Sequence, residues 1–162
     1  NRHMSQDARF EDGAERPLNL GAFDQEDLKV VSAMIQDSVI PITEISWLPK
    51  QRRLGLLINR FRWEDKDKAI AQGRPFERVQ SLLLVENVVS MSSQGINRKQ
   101  NDLILSLLSF GMKEVENGAV DLSITFAGDG VVKACVEAIE VNLKDVTRPY
   151  QAQSSQIPKH PE

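Results

Sequence analysis

Histidine is missing from the body of this 162-residue chain, because its two copies, His3 and His160, lie within three residues of the ends. Nucleophilic catalysis that relies on an imidazole beside a serine or cysteine therefore finds no base between Met4 and Lys159. Cysteine occurs once, at Cys135, which excludes an intramolecular disulfide and the converging thiolates of a structural zinc site. No cofactor and no metal are expected. Long hydrophobic runs are lacking too: charges interrupt the apolar segments well short of the roughly 20 residues a membrane span needs. No basic, apolar and small-residue succession marks a secretory signal, so the expected setting is the reducing cytoplasm, away from membranes. The Gly-Lys-Ser/Thr element of a phosphate loop is also absent, and Gly128-Asp129-Gly130 reads as a turn. Paired carboxylates leave no local mark in a sequence. Glu86, Glu137 and Glu140 could serve as acid and base, but they are equally well explained as solvent-facing strand residues.

The residues that are present describe one soluble domain with loose ends. Asn1-Arg-His3 resembles the translation of a cloning site ahead of Met4. Residues 4–17 read as a flexible acidic leader, 18–146 as the globular domain and 147–162, with three prolines and no period, as a surface tail. Asp24 is placed to cap a helix whose face carries Leu28, Val31, Ile35 and Val39 and which Pro41 ends. From Thr43 the period changes to 2. Strands are predicted at 43–48, 54–63, 76–85, 86–92 and 103–110, and the alternation of Val120, Leu122, Ile124 and Phe126 ahead of Gly128-Asp129-Gly130 predicts a hairpin with 131–138. Residues 139–146 are read as a short closing helix, with a strand as the alternative.

The fold class expected is α+β: an N-terminal helix packed on a strongly bent, mostly antiparallel sheet or partly closed barrel of about seven strands, with a short C-terminal helix. Seven strands and a helix also match the outline of a pleckstrin-homology-like barrel.

One segment stands out chemically. Residues 44–63 carry five basic side chains against one acidic, a local charge of +4 in a chain of net charge −3, with aromatics among the arginines. Arginine forks pair with carboxylate or phosphate and stack on aromatic rings. Trp47, Arg52, Arg53, Asn59, Arg60, Phe61 and Trp63 are therefore the candidate interaction surface. Two bland readings stand beside that one: the tryptophans pack in the core, and the arginines bridge to nearby acids such as Glu64 and Asp65.

Several short motifs in order resemble a known family. Asp24-Gln-Glu-Asp-Leu, Val31-Ser-Ala, Gln36-Asp-Ser-Val, Trp47-Leu-Pro-Lys-Gln-Arg-Arg, Asn59-Arg-Phe-Arg-Trp-Glu, Leu105-Ser-Leu-Leu, Phe126-Ala-Gly-Asp-Gly and Val136-Glu-Ala-Ile-Glu are similar to the alphaproteobacterial domain of unknown function numbered 2948. The closing Pro158-Lys-His-Pro is similar as well; Asp129 and Ala138 depart from the pattern. The resemblance implies a small cytoplasmic bacterial protein with no established activity, cofactor or catalytic residue.

The function expected from the residues is a non-catalytic protein-binding or adaptor module, with the basic and aromatic hairpin as contact surface and another protein, or a second copy of the chain, as partner. Nucleic acid or an anionic ligand on the same hairpin is the alternative, against which the net charge weighs. An enzyme that uses carboxylates without histidine or metal is the third reading.

Overall fold

A computed structural model describes residues 16–152. The suggested cloning remnant, the leader up to residue 15 and the tail beyond Ala152 lie outside the described residues.

Strand β1 (Asn19–Ala22) leads into helix α1 (Gln25–Ile35), whose N-cap is Asp24: its carboxylate accepts from the backbone N–H of Asp27 at 2.8 Å. Asp27 in turn accepts from the N–H of Phe23, a reciprocal arrangement that satisfies two donors at the helix start. The buried face holds Leu28, Val31 and Ile35, and the Ser32 hydroxyl accepts from the N–H of Phe110. The helix stops at Ile35, ahead of Pro41, because Asp37 takes a left-handed φ of 63° and the next residues are captured as a strand. Val39, expected on the helix face, pairs with Asn59 on one side and Ser106 on the other.

Then come β2 (Val39–Pro41), a 3-10 turn, β3 (Ile45–Leu48), β4 (Arg53–Phe61), a second 3-10 turn (Trp63–Asp65), α2 (Lys66–Gln72), β5 (Glu77–Val85), β6 (Val88–Gln94), β7 (Ile104–Glu114), β8 (Val120–Phe126), β9 (Val131–Val136), β10 (Val141–Asp145) and β11 (Tyr150–Gln151). Eleven strands join in one antiparallel sheet in the order β1-β10-β5-β4-β2-β7-β8-β9-β6, with β11 also on β5 and β3 also on β4. The longest register couples β4 to β5, from Leu54↔Val85 to Phe61↔Arg78. By contrast, β2 meets β4 at the single pair Val39↔Asn59. The sheet therefore reads as two halves, β1-β10-β5-β4-β3 and β7-β8-β9-β6, linked through β2.

The inward rows of both halves make one core. Leu54, Leu56 and Ile58 of β4 lie level with Val85, Leu83 and Ser81 of β5, and Val141, Leu143 and Asp145 of β10 continue those rows. Leu122, Ile124 and Phe126 of β8 and Val132, Ala134 and Val136 of β9 supply the opposite wall. Burial of these side chains at period 2 is what selects strand over helix along most of the chain.

The α+β expectation is corrected by these elements. Strand accounts for 49% of the described residues against 20% helix, the sheet has eleven strands rather than seven, and its terminal strands β1 and β6 do not pair, so it is not a closed barrel. The helix is not N-terminal: it is entered from β1, and it contributes three buried side chains. The pleckstrin-homology-like outline falls with the strand count and with the strand that replaces the helix expected at 139–146. Residues 139–146 supply β10, whose Val141, Leu143 and Asp145 point inward while Asn142 and Lys144 point out, so a period of 2 prevails over the helical one. Helix α2 lies in what the sequence suggested was only a charged connection; Gly73 ends it with a left-handed φ of 64°.

Candidate functional site

The end of β4 carries its arginines inward. Arg60 follows Leu54, Leu56 and Ile58 on the core-facing side of the strand and is fully buried. Its guanidinium forks onto Glu64 at 2.7 and 2.9 Å, reaches Asp145 at 3.0 Å and donates to the Ser81 hydroxyl. Asp145 also accepts from Ser81 at 2.6 Å and from the Leu18 N–H at 2.8 Å. Arg62, equally buried, meets Glu77 directly and lies 3.7 Å from both Glu64 and Asp65. Arg74 closes the group with a two-pronged contact to Asp65 at 2.8 and 2.9 Å. Three arginines and four carboxylates thus tie the end of β4, the 3-10 turn before α2, the residue that follows α2 and Gly73, β5 and β10 together.

The electrostatics of this group are structural. Burial works against the charge on Arg60, but the hydrogen bond and charge of Glu64, followed by Asp145, outweigh it and raise its pKa further. Hydrogen bonding to Arg74 lowers the pKa of Asp65 against the opposing effect of burial, with the charges of Arg74, Arg62 and Lys68 adding to the fall. General acid catalysis at neutral pH asks for a carboxyl shifted upward. Asp65 is shifted the other way. Among the described residues no group of three histidines, cysteines or acids is arranged to hold a metal ion. Cys135 has its pKa raised, first by burial and then by the charge and hydrogen bond of Asp121, its cross-strand neighbour, and so lacks thiolate character.

The seven sequence-selected residues do not form one surface. Arg60 and Phe61 are interior. Trp63 is half-buried; its indole N–H donates to the Gln36 carbonyl at 3.0 Å and its ring lies 4.7 Å from that of Phe61. Asn59 is engaged by Arg78 and by the Tyr150 hydroxyl. Arg52 pairs with Glu137 at the end of β9, and Arg53 with Glu86 between β5 and β6. Arg52 and Arg53 are therefore met by carboxylates from distant parts of the chain. Such exposed pairs are worth up to about 1 kcal/mol each. Trp47 is the member that opens onto empty space.

That space is a cleft of about 300 Å³. Ile42 and Thr43 of the first 3-10 turn, Ile45 and Trp47 of β3, Met91 and Ser93 of β6, Val132 of β9, and Ile96, Arg98 and Asn101 of the connection between β6 and β7 line it. The apolar part is a continuation of the core: Ile45, Trp47, Met91 and Ile96 pack against its buried residues. Strand β3 pairs on one side only, with β4, and β6 on one side only, with β9. The inward side chains of these two free edges face the same space. At one end the gap is bridged by the N–H of Val88 donating to the Arg52 carbonyl at 2.9 Å. At the other end the 95–103 connection lies over it, with Gly95 against the backbone of Asp129 in the β8–β9 turn.

Sequence reasoning singled out Trp47 through the aromatic and basic cluster but did not single out the residues on β6 and in the 95–103 connection that line the cleft with it. Met91, Ser93 and Ile96 carry no compositional mark. The available signal was the inward parity Met91, Ser93 on an uncharged strand, together with an arginine, Arg98, in the polar connection that follows.

No curated protein and no solved structure is matched by the chain. Among the described residues no helix is long and apolar enough to cross a membrane. The ordered motifs around Asp24, Trp47, Asn59 and Phe126 and the model of the family described as protein of unknown function (DUF2948), which matches residues 18–160, agree, and the chain belongs to that family.

Proposed function

We propose that this protein is a non-catalytic binding module of the bacterial cytoplasm that engages another protein through the Trp47 cleft. The observation that carries the reading is an apolar cleft between two unpaired strand edges, with a half-buried tryptophan in its wall. Six of its ten lining residues are apolar and one is charged, the composition of a recognition pocket with a few polar groups to orient what enters. Tryptophan in such a setting is the residue type most often found to dominate an interface. Arg52, Arg53, Arg60 and Arg62 already face carboxylates, which favours a protein over a phosphate backbone as the partner.

The test is a nuclease-treated capture from the source cell followed by titration of the purified partner. Wild type and Trp47→Ala, shown by urea melts to be folded, serve as baits. The expected result is a partner in near-equal amount on wild type, with affinity about 30-fold lower for Trp47→Ala, the loss typical of a hot-spot tryptophan. In a Trp63→Phe background, the remaining Trp47 emission shifts to shorter wavelength on binding. Recovery of the same proteins at the same affinity by Trp47→Ala overturns the reading.

A further inference from the structure

We infer that the partner contributes an extended segment that adds as a strand in the gap between β3 and β6 and sets an acidic group against Arg98; this deepens the reading above and rests on it. Free strand edges present rows of N–H and C=O groups able to hydrogen-bond an added strand, and proteins ordinarily blunt them with charge or proline. Neither device is used here. Strand β3 reads Ile-Ser-Trp-Leu and β6 reads Val-Val-Ser-Met-Ser-Ser-Gln, without a charged residue or a proline in either. Both edges border the same cleft, and their inward side chains, Ile45 and Trp47 against Met91 and Ser93, stand in its walls.

Side chains alternate along a strand, so every second residue of an inserted segment points into the apolar lining and the others point to solvent. Strand β3 is four residues long, which sets the paired length at about four residues, roughly 13 Å. The charge of the segment follows from the lining. Among the described residues that line the cleft Arg98 is the one charged side chain, no carboxylate stands with it, and its hydrogen-bonding contact is the Met91 sulfur at 3.9 Å. In a chain of net charge −3 this is a local positive site on an apolar wall. It fits an aspartate, a glutamate or a free carboxy terminus next to alternating apolar residues.

Panning a library of displayed random octapeptides against the whole chain supplies the probe. An enriched peptide is then made in three forms: unchanged, with its acidic group converted to an amide, and with alternate backbone nitrogens methylated to remove strand hydrogen bonds. Each is titrated into the Trp63→Phe protein and its Arg98→Ser derivative, with Trp47 emission as readout. Arg98 is exposed, so its replacement leaves the core intact. Enriched peptides should alternate apolar residues around an acidic one. N-methylation should weaken binding about tenfold or more. Amide conversion should cost about fivefold on the Trp63→Phe protein and nothing on its Arg98→Ser derivative.

Peptides that move Trp47 but bind equally well when methylated, and equally well to Arg98→Ser, overturn strand addition and leave the protein-binding reading in place. Failure to enrich any peptide that perturbs Trp47 overturns both. A dimer of the free chain by light scattering that Trp47→Ala dissolves would assign the gap to a second copy and refute the choice of a different protein.

Discussion

Arg60→Met is the most informative single change outside the cleft. Arg60 is fully buried, and of its two counter-ions Asp145 is the buried one, with a side chain 2% exposed. Removing the guanidinium leaves Asp145 with the Ser81 hydroxyl and the Leu18 N–H but with no cation, while Glu64, about a quarter exposed, can turn to water. Stranding a buried charge in this way costs about 3–5 kcal/mol. Against a total stability of about 5–15 kcal/mol that is a large fraction. For a domain of this size the melting temperature should fall by roughly 10–15 °C. Urea denaturation followed by far-ultraviolet circular dichroism measures the difference directly. The double variant Arg60→Met, Asp145→Leu replaces the charged pair by apolar volume at the cost of the hydrogen bonds to Ser81 and Leu18, and should return to within about 1–2 kcal/mol of wild type. A single-variant loss below about 1 kcal/mol, the scale of a solvated ion pair, or a double variant no more stable than the single, refutes the argument that the interior charges depend on each other.

Two further outcomes are expected. Because Arg74 holds the Asp65 carboxyl below its ordinary pKa, the stability from this contact is fully present above the unfolded carboxyl value and lost as pH falls through the folded one. Asp65→Asn should therefore be less stable than wild type by about 2–3 kcal/mol at pH 7, with the two denaturation curves converging below pH 4. A gap that stays constant down to pH 3 would contradict the assignment. Gly95→Ala should destabilise by about 2–4 kcal/mol, since φ is +70° there and a Cβ would lie 2.6 Å from the Asp129 carbonyl oxygen. The same substitution should weaken partner binding, because the connection that carries Ile96 and Arg98 into the cleft is anchored at that contact; unchanged stability in a thermal melt would show the contact to be dispensable.

The fate of the basic segment explains why a surface could not be read from composition. Adjacent arginines at 52, 53, 60 and 62 look like a patch when the chain is written out as a line. On strand β4 the parity that buries Leu54, Leu56 and Ile58 carries Arg60 inward with them, and Glu77 and Asp145, far along the chain, come from neighbouring strands to meet the buried guanidinium groups. Glu64 and Asp65 were legible as partners because they are adjacent in sequence. Asp145 was not, since its role depends on β10 lying beside β5.

Local pattern by itself determined what local physics controls: the Asp24 cap, the helix face of Leu28, Val31 and Ile35, and the hairpin of β8 and β9 around Gly128-Asp129-Gly130, where alternation and turn chemistry agree. It also determined what the chemistry lacks between Met4 and Lys159, where no histidine occurs. Tertiary structure decided the rest. It drew residues 139–146 and Val39 into strands, because a place between existing strands satisfies backbone groups that a short isolated helix would leave to water. It also left one edge of β3 and one edge of β6 unpaired across the cleft that Trp47 lines, because whether two strand edges meet is set by the curvature of the whole sheet, a property that no segment of the sequence carries alone.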